Sequence, residues 1–214
     1  MASKILSGKV EKVRQFRLSS KAKTTNGYAK VPQLFAQITQ PDDVDFLIIP
    51  SVSSECRRYV PIGFATRDII SSNAVQIVPN ASLYHFGVLT SNVQMAWMRA
   101  VCGRLKSDYR YSKEIVYNTF PWPKPTEEQK IKIEQTAQVI LNAREQYSDC
   151  SLADMYGEKM YLFPELVKAH RLNDMAVMEA YGFAKGSEPY RNEAACVAEL
   201  MKLYQKKVEE IENR

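Results

Sequence analysis

SNVQMAWMRAVCGRLKSDYRYS, residues 91–112, changes its periodicity half-way along. Ser91 has the chemistry of a helix N-cap. Val93, Trp97 and the pair Ala100/Val101 then recur at helical spacing. Gly103 is a natural place for such a helix to stop. Trp97 and the methionines beside it, Met95 and Met98, read as core. Beyond Gly103 the pattern changes: Arg104, Lys106, Asp108 and Arg110 alternate with Leu105, Ser107, Tyr109 and Tyr111. If extended, this segment projects its even-numbered side chains to one face as a charged rail. Leu105, Tyr109 and Tyr111 then point inward together with Ser107. Arg and Lys donate to guanine O6 and N7, and Asp accepts from cytosine N4. A carboxylate repels phosphates, so Asp108 in a DNA-facing rail suits a base reader. A surface strand with charge pairing along it is the other reading, and spacing alone leaves both open.

Towards the N-terminus lie strand signals. DFLIIPSV (45–52), YVPIGF (59–64) and AVQIV (74–78) are short, apolar and rich in β-branched residues. Pro61 assigns its strand to an edge or a bend. SSECRRY (53–59) is a polar bend carrying Arg57 and Arg58. The runs are too short for alternating βαβ units, so a small mixed or antiparallel sheet is expected. RLSSKAKTTNGYAK (17–30) mixes basic, hydroxylated and Asn-Gly residues, a composition that favours turns and loops.

Towards the C-terminus, FPWPKP (120–125) is a rigid extended break. It sets the expected domain boundary: residues 1–120, then residues 121–214. Thr126 with Gln129 forms a capping box opening a helix to about Tyr147. Ile133, Ala137, Ile140, Leu141 and Arg144 line one face of it. SLADMY (151–156) has cap chemistry for a short helix. Pro164 and Gly182 bracket another. A last helix is expected from about Asn192 to Val208, with Cys196, Leu200, Leu203 and Tyr204 inward. The expected fold class is α+β: a small mixed or antiparallel sheet with helices, followed by a C-terminal helical bundle.

Charge is unevenly spread. Residues 1–120 hold 16 Lys/Arg against 8 Asp/Glu, whereas residues 121–214 hold 13 against 16. The split points to a first half facing a polyanion. No apolar run approaches the roughly 20 residues of a membrane span, and the N-terminus lacks a secretory signal pattern. Four scattered cysteines and two histidines make no zinc pattern, consistent with reduced thiols in a cytoplasmic protein. GxGxxG, Walker, HExxH and GxSxG motifs are missing from the sequence. His85 and His170 read as structural. No metal, catalytic or cofactor-binding residues are expected in this chain.

SSECRRYVPIGF, LYHFGVLTSNVQMAWMRAVCGRLKSDYRYS and VYNTFPWPKPTEEQ resemble the C-terminal part of MmeI-like enzymes. These are single-chain restriction–modification proteins that also methylate adenine N6. The resemblance covers about Arg17 to Val208 and is most specific from Leu83 to Pro123. It implies part of a DNA target recognition domain joined to a helical domain. The family's S-adenosyl-L-methionine loop, its Asn-Pro-Pro-Tyr motif and its nuclease residues have no counterpart here. The cofactor, and magnesium for any nuclease, are thus implied for a longer parent. Double-stranded DNA and the parent's upstream methyltransferase domain are the implied partners. By matching motif, Lys106 and Asp108 form one base-reading pair, on a guanine beside the methylated adenine. Arg110 with Ala74 reads another base, and Asn73 and Ser51 fall at a further reading position. Arg17, Lys21, Lys23, Arg57, Arg58 and Arg104 are the phosphate-contact candidates. The alternative is a helical scaffold that packs on the methyltransferase domain or another subunit. An independent RNA-binding protein is disfavoured, because no RNP-like aromatic motif is present.

Overall fold

The apolar run around Trp97 folds as a helix. The computed structural model describes residues 2–36, 38–39, 41 and 43–213. These divide into two compact units, residues 1–40 and residues 41–214.

The first unit holds helices α1 (Ala2–Leu18) and α2 (Lys23–Gly27) and a 3-10 turn, Tyr28–Lys30. Part of the 17–30 stretch expected as loop is therefore helical. The reason is a set of long-range side-chain bonds that composition does not show. The Arg17 guanidinium donates to the carbonyls of Tyr28 (2.9 Å), Val31 (3.0 Å) and Leu34 (2.8 Å). Asn26 donates to the Leu18 carbonyl at the end of α1 (2.9 Å).

The second unit begins with strands β1 (Phe46–Pro50) and β2 (Val52–Ser53), then β3 (Gly63–Ala65) and β4 (Val75–Pro79). Helices α3 (Leu83–Leu89) and α4 (Asn92–Val101) follow, then β5 (Gly103–Leu105) and β6 (Asp108–Arg110). After a π-helical turn, Lys113–Tyr117, come α5 (Glu127–Glu145), α6 (Leu152–Met155), α7 (Pro164–Ala180), α8 (Glu188–Arg191) and α9 (Glu193–Glu212). The strands form two antiparallel sheets, β3-β1-β4 and β2-β6-β5. The fold is thus α+β, with two small antiparallel sheets rather than one.

Several sequence expectations meet their physical causes here. Ser91 Oγ accepts from the Gln94 N–H (3.3 Å), and Thr126 and Gln129 bond reciprocally. Gly182, at φ 76°, follows α7 in the left-handed conformation expected past a helix end. Gly103 differs: α4 ends at Val101 with Cys102 extended (ψ 152°), and Gly103 already belongs to β5. YVPIGF is strand only from Gly63, because an Ile62 N–H to Val60 carbonyl bond (2.9 Å) makes a tight turn around Pro61. In α9, Cys196 and Leu200 are buried as expected, but Leu203 is exposed.

Helix α3 has a particular packing role. A Cβ on Gly87 would lie 2.7 Å from Ile133 Cγ2 and 3.2 Å from Ala137 Cβ, so glycine lets α5 come close. The Gly87 carbonyl also accepts from Asn173 Nδ2 of α7 (2.8 Å). One apolar core continues from Leu47 and Ile49 through Trp97 and Phe120 to Ile133, Val177 and Leu200, across the FPWPKP break.

Inside this core lies a polar network. Arg144 is buried, and no described carboxylate forms an ion pair with it. Its guanidinium donates twice to the Tyr156 hydroxyl (2.9 and 2.6 Å) and once to the Ile62 carbonyl (2.8 Å). It also lies over the Phe86 ring (5.1 Å) and the Tyr156 ring (4.9 Å). The Tyr156 hydroxyl proton is left for His170 Nε2 (2.6 Å). Burial, with Arg144 and Arg58 nearby, holds His170 well below its ordinary pKa and hence neutral. Tyr59 stacks on His170 (4.1 Å) and donates to Asp174 Oδ2 (2.6 Å). Asp174 Oδ1 accepts from the Asn92 N–H at the start of α4 (2.8 Å).

Burial pushes the Asp174 carboxyl up to about 6, against the opposing pull of its two donors and of Arg58. Its folded pKa thus exceeds its unfolded value. The resulting stabilisation is complete below about pH 4 and is lost as pH rises through about 6. Asp174→Asn keeps an acceptor for Asn92 and does not titrate. Relative to that variant, the native chain should lose ~2 kcal/mol of unfolding free energy between pH 4 and 7. Urea denaturation across that range measures the difference; a flat difference would contradict the assignment.

Candidate nucleic-acid interface

The two sheets meet at Ser51, between β1 and β2. Its N–H donates to the Ala74 carbonyl (2.9 Å), and its carbonyl accepts from the Tyr111 N–H (2.9 Å). Its hydroxyl accepts from Gln76 Nε2 (3.0 Å). One residue further on, Val52 lies opposite Arg110. The junction thus brings Ser51, Ala74 and Arg110 onto adjoining backbones, with Asn73 next to Ala74. Asn73, Ala74 and Arg110 are exposed, and Ser51 is half-buried.

Beyond the junction the segment 103–110 is a hairpin, not one extended strand. Leu105 pairs with Asp108, leaving Lys106 and Ser107 as a two-residue turn. Lys106 takes φ 57°, a left-handed conformation that L-residues adopt at a cost. From its base at Gly103 to the tip at Lys106 the arm is ~10 Å long at ~3.3 Å per residue. That is about the length of three base pairs of B-DNA.

The hairpin breaks the expected rail. A two-residue turn sets even-numbered residues of one strand against odd-numbered residues of the other. Arg104 therefore shares a face with Tyr109, while Asp108 and Arg110 share the other with Leu105 and Val52. Tyr109 and Tyr111 are buried as expected, but Leu105 is 53% exposed. Lys106 stands at the tip, where strand alternation no longer applies. The turn was hard to foresee, because Lys-Ser lacks the glycine or asparagine that usually marks a two-residue hairpin.

Arg104 is committed to this hairpin. Its guanidinium donates to the Ser107 carbonyl (2.7 Å), lies 4.1 Å from the Tyr109 ring centroid and sits 3.6 Å from Glu55. By contrast, the side chains of Lys106, Asp108 and Arg110 make no hydrogen bond or ion pair with any described residue. They are free to meet a ligand. The hairpin's base is fixed by Tyr111, whose buried hydroxyl accepts from Gln94 Nε2 of α4 (2.8 Å). Burial raises the Tyr111 pKa despite that bond, so it stays neutral.

The other phosphate-contact candidates are distributed differently. Arg17, Lys21 and Lys23 belong to residues 1–40. Arg17 spends three bonds on the carbonyls that hold that unit together, whereas Lys21 and Lys23 are exposed. Arg57 is half-buried in the bend after β2. Arg58 is exposed, lies 5.4 Å from the Tyr59 ring, and lines a cavity of about 220 Å³ with Arg99 and Glu193. Arg99 donates to Glu193 (2.8 Å) and to the Arg58 carbonyl (3.1 Å), fixing that bend. Among the described residues no three His, Cys, Asp or Glu side chains could hold a metal ion, and no helix is long and apolar enough to cross a membrane.

The described residues thus form a pair of small sheets that presents a free charged hairpin and is carried on a helical bundle. Comparison with known proteins shows which family has this architecture. The MmeI target recognition domain matches residues 1–124, and the MmeI C-terminal domain matches residues 125–212. The chain belongs to the MmeI family. It is 36% identical over 196 residues to DNA methyltransferase A of Bacillus subtilis (strain 168), covering 92% of this chain and 22% of that protein. It also superposes, with a TM-score of 0.84 and 46% identity, on the type IIL restriction-modification enzyme MmeI in complex with DNA. That match covers 95% of this chain and 26% of the MmeI chain. The chain therefore spans about a quarter of the length of these relatives.

Replacing Lys106 by glycine should relieve the left-handed turn. The unfolding free energy should rise by ~0.5–1 kcal/mol, the strain relief being partly offset by glycine's greater freedom when unfolded. Urea denaturation of the variant measures this; a destabilised variant would contradict the turn geometry.

Proposed function

We propose that this chain is the DNA sequence-recognition module of a restriction–modification protein that methylates adenine N6. The observation that carries the proposal is the Ser51 junction. Its backbone bonds gather Ser51, Asn73, Ala74 and Arg110, and the hairpin arm extends the set to Asp108 and Lys106. Family membership supports the same reading. In it, Lys106 donates to a guanine beside the target adenine. Asp108 accepts from the paired cytosine or orients Lys106, and Arg110 with Ala74 reads a second base pair. Asn73 and Ser51 serve a third position. A division into a recognition domain, residues 1–120, and a helical domain, residues 121–214, belongs to this proposal.

Double-stranded DNA and an upstream methyltransferase domain are the proposed partners, in the bacterial cytoplasm. S-adenosyl-L-methionine, and magnesium for any nuclease step, would be held outside these residues; no described cluster here has the donors to hold the metal. What this chain supplies to the reaction is position. It sets the register of the duplex so that one adenine meets the methylating site.

Within the chain the helices brace the recognition part: Arg144 and Asp174 reach from α5 and α7 to Ile62 and Tyr59, so the bundle holds the loop after β2.

Two experiments test the reading. Exchanging the charges, Lys106→Glu with Asp108→Lys in the whole protein, should change the methylated sequence at one base pair. Sequencing of modified adenines reads the result, and an unchanged motif overturns the assignment. Separately, Lys21→Ala, Lys23→Ala and Arg57→Ala should each weaken binding to all sequences alike and lower the salt slope by about 0.9. Arg17→Ala and Arg104→Ala should instead lower the stability of the chain.

A further inference from the structure

The sheet register exposes two apolar side chains that none of the charged readers accounts for. Directly opposed residues of an antiparallel pair share a face. Val52 opposes Arg110, and Leu105 opposes Asp108. One face of the β2-β6-β5 sheet therefore carries Val52, Leu105, Asp108 and Arg110. The opposite face carries the buried Ser53 and Tyr109, with Arg104 laid over the tyrosine ring. A sheet with one face on the core should be polar on the other. Here Leu105 is 53% exposed and Val52 37% exposed, each directly across from a charged side chain. Neither belongs to the apolar core that holds the fold together.

Their neighbours narrow what they can meet. Opposed side chains start ~4.5–5.5 Å apart at Cβ. A base edge contacted by Asp108 or Arg110 thus lies within reach of Leu105 or Val52. Hydrogen-bonding atoms dominate the base edges of the major groove, and the apolar feature among them is the thymine C5-methyl group. A branched aliphatic side chain beside a carboxylate or guanidinium matches that edge. It also excludes water from the adjoining polar contact, which strengthens it.

We propose that Leu105 and Val52 are specificity-determining residues that contact thymine methyl groups next to the base pairs addressed by Asp108 and Arg110. The proposal rests on the DNA-recognition reading. It adds two branched aliphatic side chains to a set of residues that, apart from Ala74, reads hydrogen-bond donors and acceptors.

The test uses the whole protein and duplexes carrying its own methylation motif. Each thymine of the motif, on either strand, is replaced singly by deoxyuridine, which removes only the methyl group. Binding of the native protein should weaken about four-fold at one or two positions, the equivalent of one buried methyl at ~0.8 kcal/mol. Leu105→Ala should abolish the deoxyuridine penalty at one of them, and Val52→Ala at the other or at the same one. Both side chains are exposed, so the variants should unfold at the native temperature.

Deoxyuridine penalties that persist in both variants, or native binding indifferent to every replacement, would each overturn the proposal. The exchange of Lys106 and Asp108 separates this failure from a larger one. If that exchange still changes the methylated motif, the recognition reading stands and only methyl sensing is lost. If it does not, the recognition reading itself falls.

Discussion

A buried arginine with no carboxylate partner among the described residues is the constraint around which residues 41–214 are arranged. Removing a guanidinium from water is costly unless its donors are met. Arg144 meets them with a phenol oxygen, a main-chain carbonyl and two aromatic faces. Each partner comes from a different part of the chain: Tyr156 from the helical bundle, Ile62 from the loop after β2, Phe86 from α3. The arginine can be satisfied only when all three are in place. Asp174 repeats the arrangement with opposite charge, joining Tyr59 to the first turn of α4. The helical bundle thereby fixes the loop after β2 and the start of the helix that leads directly into the hairpin.

The hairpin depends on that support. It leaves α4 after one connecting residue, turns at Lys106 and returns to Tyr111, which is bonded to α4 through Gln94. Both ends of the arm are thus tied to one rigid element, and Ser51 ties the second sheet to the first. Rigid placement is what base reading requires, since hydrogen bonds to base edges discriminate only when donor and acceptor directions are held. The free side chains stand on an arm anchored at both ends. Arg104 and Arg17, equally charged, are spent on shaping their own local structure.

Much of the helical part was legible in the sequence. Its signals are local: a cap residue bonds to an amide three positions on, and a buried face repeats every three to four residues. Thr126, Ser91, Pro164 and Gly182 all act where their chemistry indicates. Helix α3 is not legible in the sequence because LYHFGVL is short and carries a glycine. Its glycine makes sense only against Ile133 and Ala137, more than forty residues away. The same holds for residues 17–30, whose helix is held by carbonyl contacts to Arg17.

The sequence by itself determined the fold class, the longer helices beyond Ser91 and the concentration of charge in GRLKSDYRYS. It could not determine which charges face together. That depended on a turn at Lys106–Ser107, which no glycine announces, and a two-residue turn reverses the parity of every residue beyond it. Tertiary structure therefore decided that Arg104 covers Tyr109 while Asp108 and Arg110 face outward with Leu105 and Val52. The physical reason is that strand pairing is a contact between distant residues, chosen by what each face can bury, and the alternation of a single strand does not encode it.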